Sequence, residues 1–338
     1  MTAKRALTVL FLAILVSVPW WVTSLYVLHV LIITGIFLIA AMSLNLLLGY
    51  TGQLSLGHVA FFGIGAYVSS LTSLGFSAHL LPGFLVTMEP KPVWIGMILG
   101  VVAAGLCGWL IGKLSFKVRG AYFVIVTISF AEVVRLVAVN WVELTQGPMA
   151  LNNIPPLTLG SVTFWRKPAN YWVVLAVGVV CYILIRRLVN SRAGRAMIAL
   201  RENEPLAVSV GVDVTHYLVL ATVISAAMAG AAGALYAHYV RIVDPDIFLF
   251  ICTVTMVIMV VTGGKGTLAG PVVGGLIFGL VPESLRALQI MPELQWIIYG
   301  VLMILVVYFL PEGIVPAVRN WWIGRRKQAP SQAAESLP

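Results

Sequence analysis

The sequence predicts an all-α integral membrane protein, a polytopic helical bundle of about ten transmembrane spans with N-in, C-in topology. Three observations carry this. Of 338 residues, 60% are apolar and only 10% are charged, too few charges to cover a water-exposed surface. The apolar residues gather into runs near the 20 residues that a helix needs to cross a bilayer. Finally, the basic residues fall between those runs and alternate in density from one gap to the next.

Taken in order, the runs cover 7–24, 26–49, 55–74, 93–112, 120–139, 170–187, 217–239, 247–262, 267–285 and 295–311. The first follows Lys4 and Arg5 and resembles a secretory leader. Pro19-Trp20-Trp21 interrupts any cleavage site, and more apolar chain follows directly, so it reads as a retained span. The runs at 55–74 and 267–285 are rich in glycine, and broken or re-entrant helices are compatible with them. With the N-terminus inside, fifteen Lys and Arg residues lie on the cytoplasmic side and five outside, with Arg135 inside a span. That asymmetry sets the orientation and favours an even number of spans. Residues 1–327 form one membrane domain with a cytoplasmic loop at 188–216, and 328–338 is a polar tail expected to be disordered.

The net charge of +9 does not point to nucleic acid, because no basic face with interleaved aromatics is present. Cys107, Cys181 and Cys252 all fall inside apolar runs without metal-ligand spacing, so buried free thiols are expected. Pairs such as Gly96 and Gly100, Gly108 and Gly112, Ala229 and Gly233, Gly270 and Gly274, and Gly275 and Gly279 have the spacing of close helix packing.

Chemistry-bearing residues are few. Glu132 and Arg135 stand three apart in the fifth run, and Glu283 and Arg286 repeat that spacing in the ninth. They read as a polar pathway wall or as self-neutralising pairs near the external interface, and the second reading is favoured. Tyr50 to Tyr67 interleaves glycines with Gln53, Ser55 and His58, just after Asn45. A kinked, path-lining segment and a closely packed one both fit. GGKGT at 263–267 fails the phosphate-loop pattern, since Met259 stands where the first glycine belongs and Gly266 follows the lysine. No GxSxG or HExxH sequence is present, so this reads as a non-enzymatic chain.

The stretch Leu188 to Tyr217 is the longest charged segment between apolar runs. Ser191 is placed to cap a short helix carrying Met197, Ile198 and Leu200. Pro205 suits the start of a second, Leu206 to Val210, that Gly211 would end. Such an amphipathic knuckle suits a pore pushed by a soluble partner, while a plain retention loop accounts for the charge equally well.

Four segments taken together, SLNLLLGYTGQLSLGHVAFFGIGAY (43–67), RGAYFVIVTISFAEVVRLV (119–137), SRAGRAMIALRENEPLAVSVGV (191–212) and GGKGTLAGPVVGG (263–275), resemble the LivM-type permeases of branched-chain amino-acid ABC importers. The resemblance runs from about Ile39 to Glu312. It implies a subunit of a bacterial or archaeal inner membrane that moves amino acids by alternating access. It also implies a second, LivH-type permease, an extracytoplasmic binding protein, and two ATP-binding subunits that hold the ATP and Mg, with no cofactor in this chain. Gly194, Arg195, Arg201, Glu202, Asn203, Glu204 and Gly211 match the family's coupling segment. Asn45, Gln53, Ser55, His58 and Glu132 are the expected pathway residues. One segment departs: TQGPMALNNIPP (145–156) carries Gln146 and Ala150 where glycines are common in the family. The same resemblance leaves permeases for urea or short amides open. An ATP-independent transporter or channel, and a membrane scaffold, are the other classes compatible with the spans.

Overall fold

The computed structural model describes residues 15–22, 24–81, 84–116, 120–159, 162–164, 166–287 and 291–322. The start of the first apolar run, the tail at 328–338, and the side chains of Glu283 and Arg286 lie outside what is described. The described chain is a helical membrane bundle. Helices α1 (Leu25–Asn45), α2 (Val59–Leu74), α3 (Val93–Ser115) and α4 (Ala121–Asn140) come first, and the one-turn α5 (Val142–Thr145) follows. Then come α6 (Lys167–Val189), the short α7 (Arg192–Glu202) and α8 (Glu204–Ser209), and α9 (Val214–Val240). α10 (Phe250–Gly263), α11 (Gly270–Ala287) and α12 (Pro292–Phe309) follow. Among the described residues, five helices are long and apolar enough to cross a membrane: α1 with its extension to Thr51, α3, α4, α6 and α9. Three shorter apolar helices accompany them, Val59–Leu74, Phe250–Gly263 and Gly270–Leu280.

α1 occupies the middle of the bundle. Leu28, Ile32, Ile36 and Ile39 are fully buried and pack with Val174, Cys181 and Ile185 of α6 and Phe278 of α11. α2, α3 and α9 meet through small residues, as their spacing predicts. Gly65 lies against Gly230, Gly100 against the Gly65 carbonyl, Gly108 against Ala226, and Gly233 against Phe62. A side chain at any of these contacts would force the backbones apart, so close packing accounts for these pairs.

Two boundaries differ from the sequence expectation. The run at 55–74 becomes helical only at Val59, and the preceding segment enters the bundle unwound. Glycine at 52 and 57, with polar Gln53 and Ser55, gives this stretch little helix propensity. Likewise, α10 begins at Phe250 after a 3₁₀ turn at Pro245–Phe248. The loops at 75–92 and 140–169 are also not purely irregular. Phe76–Leu81 pairs antiparallel with Phe84–Met88, and Thr158–Leu159 with Val162–Thr163. The all-α class therefore holds for the bundle, and its long loops carry small hairpins.

Contacts between distant loops sort into two ends of the bundle. At one end Leu151 and Val243 exchange backbone hydrogen bonds of 2.8 and 3.0 Å. There His238 joins the Pro155 carbonyl at 2.8 Å, and Arg241 donates to the Ile154 carbonyl at 3.1 Å. At the opposite end the 188–216 loop meets the end of α1 and the loop entering α11.

Candidate coupling site

That second end is built around α7. Ser191 caps it, its hydroxyl accepting from the Gly194 amide at 3.3 Å. Gly194 is buried where α6 turns into α7, with the Leu188 and Val189 carbonyls where its side chain would stand. Met197 and Leu200 form the buried face, and Met197 packs with Leu47 of the α1 extension and Ala221 of α9. Arg195 lies on the outer face and donates to the Asn190 carbonyl at 3.3 Å.

The helix ends at Glu202, and Asn203 reverses the chain into α8. Asn203 Oδ1 accepts from the Leu206 amide at 3.0 Å, which makes Asn203 the cap and places Pro205 in the first turn. α8 thus runs Glu204–Ser209, slightly earlier than the Leu206–Val210 that Pro205 suggested. Ala207 is its buried residue, while Leu206 and Val210 are 63% and 75% exposed. Gly211 closes the turn at φ +88°, a conformation that other residues resist. Asp213 then caps α9 through the His216 amide at 3.0 Å.

Arg201 links this knuckle to the bundle. Its guanidinium donates to the Gly49 carbonyl through Nη1 and pairs with the Glu202 carboxylate through Nε and Nη2. Gly49 belongs to a π-helical turn, Leu46–Thr51, which ends at Gly52 with φ +75°. A π turn is a wide, locally weakened stretch of helix, often found where function requires give. Gly266, at φ +72°, completes the junction: a Cβ there would stand 2.5 Å from Arg201 Nη1 and 2.7 Å from the Gly49 oxygen. Asn45 holds Gly266 and its neighbour in place. Its Oδ1 accepts from the Gly266 amide at 3.0 Å, and its Nδ2 donates to the Thr267 carbonyl at 2.9 Å. The Thr267 hydroxyl in turn accepts from the Gly270 amide at 3.0 Å, starting α11. Lys265 is exposed beside the junction.

Of the expected pathway residues only Asn45 joins this cluster. His58 is fully buried, its Nε2 2.8 Å from the Ser43 hydroxyl, and Ser43 also accepts from Ser225 through its carbonyl. Ser55 is buried and Gln53 partly so, both in the unwound segment before α2. Asn45 is 1% exposed and committed to the backbone at 266 and 267. Glu132 is exposed on the outer face of α4, next to Ala131, which packs with Val59 and Ala60 just after His58. Sequence reasoning missed Gly49, Gly266 and Thr267. The signal available was GGKGT itself, a glycine-rich turn with a threonine placed to cap the helix that follows.

The chain matches a family model described as the branched-chain amino acid transport system permease component over residues 26–307. It is 30% identical to the high-affinity branched-chain amino acid transport system permease protein LivM of Salmonella typhimurium, covering 94% of this chain and 76% of that protein. It is 28% identical to the probable LivM of Methanocaldococcus jannaschii, over 83% and 91% of the two chains. It is also 27% identical to the LivH permease of Salmonella typhimurium, over 82% and 91%. No solved structure matches it. A match spanning most of the helical bundle, and including every segment of the junction, assigns this chain to the family of branched-chain amino acid transport permease components.

Proposed function

We propose that this chain is the permease subunit of an ATP-binding-cassette importer that carries branched-chain amino acids inward, and that the 188–216 knuckle seats on an ATPase subunit. The observation that carries the reading is the two-sided character of the knuckle. Outward, α8 exposes Leu206 and Val210, apolar residues that a partner would cover. Inward, Arg201 grips Gly49 at the foot of α1. A retention loop needs charge alone and has no use for either feature.

The full arrangement has ten spans, both termini inside, in a bacterial or archaeal inner membrane. The segregation of contacts supports it. Arg201 and Gly266 come from gaps expected on the cytoplasmic side and Gly49 from the end of the run entering one, while Leu151, Pro155 and Val243 lie in gaps expected outside, with His238 at the end of the run beside them. A second LivH-type permease completes the pore, and an extracytoplasmic binding protein delivers the amino acid. Two ATP-binding subunits hold ATP and Mg. Their closure on ATP moves the knuckle. Arg201, Glu202 and Glu204, framed by Gly194, Arg195, Asn203 and Gly211, pass that motion to the π turn and the 264–267 loop. A ligand shifts an equilibrium only by touching its two states differently, and the knuckle is where ATP-driven contacts differ.

Reconstitution with the second permease, the ATPases and the binding protein tests this. Leucine uptake that requires ATP and survives collapse of ion gradients is expected. Uptake by the single chain driven by an ion gradient would make it a secondary transporter.

A further inference from the structure

α4 has two unlike faces. Phe123, Thr127, Ala131 and Ala138 are buried against the bundle. Ser129, Glu132, Leu136 and Asn140 are exposed, and their spacing of three and four residues aligns them along one outer stripe. Arg135 leans onto this stripe. Its Nε lies 3.0 Å from each Glu132 oxygen, and its Nη2 lies 2.7 Å from Oε1.

Depth makes this stripe anomalous for a lipid-facing surface. Glu132 is the twelfth residue of a 20-residue helix, about 17 Å along a rod of about 30 Å. Glu132 therefore sits just past mid-span, and Arg135, the fifteenth residue, stands about 21 Å along, still more than a turn short of the helix end. Half of the Glu132 side chain is exposed, and 22% of the helix is buried. Charged side chains cost about 2.5–3.5 kcal/mol each at the centre of a bilayer, and within spans they face protein or water. An outer face of nothing but Leu, Ile and Val would be the lipid solution. Here Ser129, the ion pair and Asn140, with Leu136 between them, set polar groups along about 17 Å of a face that also exposes Ile125, Ile128, Val133 and Val137.

Resting on the importer reading above, we propose that this stripe is a wetted wall of the amino-acid path, closed on its far side by the second permease chain. We further propose that the Glu132–Arg135 pair is a station for the zwitterionic head of the substrate. An α-amino acid carries an ammonium and a carboxylate a few ångströms apart. Glu132 takes the ammonium and Arg135 the carboxylate, to which its planar fork donates two parallel hydrogen bonds. Each protein charge exchanges its partner for a substrate charge of the same sign, so loading leaves the net charge of the station, to which the nearby Asp246 also contributes, unchanged. Ile128 and Leu136, exposed one turn to either side, offer an apolar surface to the aliphatic side chain.

The test uses the assembled transporter in proteoliposomes, with Cys107, Cys181 and Cys252 replaced by alanine. Ser129→Cys is compared with Leu106→Cys, at an exposed apolar position of α3. The probe is a charged methanethiosulfonate, which reacts with thiolate in water. Ser129→Cys is expected to react at least ~10-fold faster, and leucine with its binding protein and ATP is expected to slow it. Equal, slow rates at the two positions would place the stripe against lipid or in a dry contact and overturn the proposal. Separately, Glu132→Gln should lower leucine uptake at least ~10-fold, a loss of about 1.4 kcal/mol, with Glu132→Asp restoring it. Wild-type uptake by Glu132→Gln overturns the station. Labelling does not require transport, so an unaltered assembly that fails to take up leucine refutes the importer reading and leaves the wetted wall separately testable.

Discussion

The guanidinium of Arg201 donates to the backbone carbonyl of Gly49, 152 residues earlier in the chain. One end of this bond lies in the last turn of α7, and the other in a π turn at the foot of the central helix. A hydrogen bond from a charged donor contributes about 1.5–3 kcal/mol. That is enough to make the knuckle and the end of α1 move together. Glycine at 49 and 266 lets three backbones close on one guanidinium.

Asn45 secures the second half of this junction, and its loss should be felt as instability. Asn45→Ala leaves the Gly266 amide and the Thr267 carbonyl without partners in a mostly buried place. A cost of about 2–3 kcal/mol follows. Gly266→Ala should cost at least as much, because it combines a positive φ with overlap onto Arg201 and Gly49. Thermal unfolding of the purified chain in detergent measures both, and unchanged midpoints would remove the junction's structural role.

The crest of α8 should behave in the opposite way. Leu206→Ser and Val210→Ser alter side chains that touch little of their own chain, so stability should stay within about 0.5 kcal/mol. Co-purification with the ATPase subunits should fall by about 10-fold or more, as for apolar anchors removed from an interface. Retained co-purification would place the ATPase contact elsewhere.

Ala150 stands at φ 61°, ψ 150°, a region open in practice to glycine alone. Ala150→Gly should therefore raise stability by about 1–2 kcal/mol, read as a higher unfolding midpoint. Gln146, at φ 59°, is milder because the left-handed helical region is tolerated by some non-glycine residues. Both are the positions at which the family resemblance leads one to expect glycine, and the positive φ at each is a backbone reason for it. A lower midpoint for Ala150→Gly would mean that the alanine methyl packs better than its strain costs.

On the loop face, His79 Nδ1 lies 2.6 Å from Glu143 Oε1 and ties the hairpin Phe76–Met88 to the turn after α4. This hydrogen bond holds the Glu143 carboxyl below its ordinary 4.5. A depressed carboxyl contributes its stability above the ordinary value and loses it as pH falls through the lower folded one. Amide exchange in the hairpin should accelerate across that acid window, and Glu143→Gln should abolish the dependence. The effect is modest, since both side chains are about half exposed. Identical acid profiles for the two proteins would contradict the tether.

The helical membrane bundle and its close helix contacts are legible in the sequence because the bilayer allows few solutions, and apolar length and glycine spacing leave little choice. The caps at Ser191 and the stop at Gly211 were equally readable, being local. The unwound stretch before Val59 and the π turn were not, since glycine and polar residues there fit a packed kink and an open path alike. Nor could any spacing rule bring Arg201 to Gly49 and Gly266, because that contact is made by the folding of three separate gaps onto one end. Asn45 illustrates the same limit. As a polar residue inside a span it suggests a pathway, whereas its amide is spent on the 266–267 backbone.

The most direct measurement is leucine transported per ATP hydrolysed by the assembled importer carrying Arg201→Ala. Met197 and Leu200 still seat α7, so assembly and ATP hydrolysis should persist while leucine per ATP falls at least ~10-fold. An Arg201→Ala importer that moves leucine at the wild-type ratio would show that the stroke bypasses Gly49, and the coupling route proposed here would be wrong.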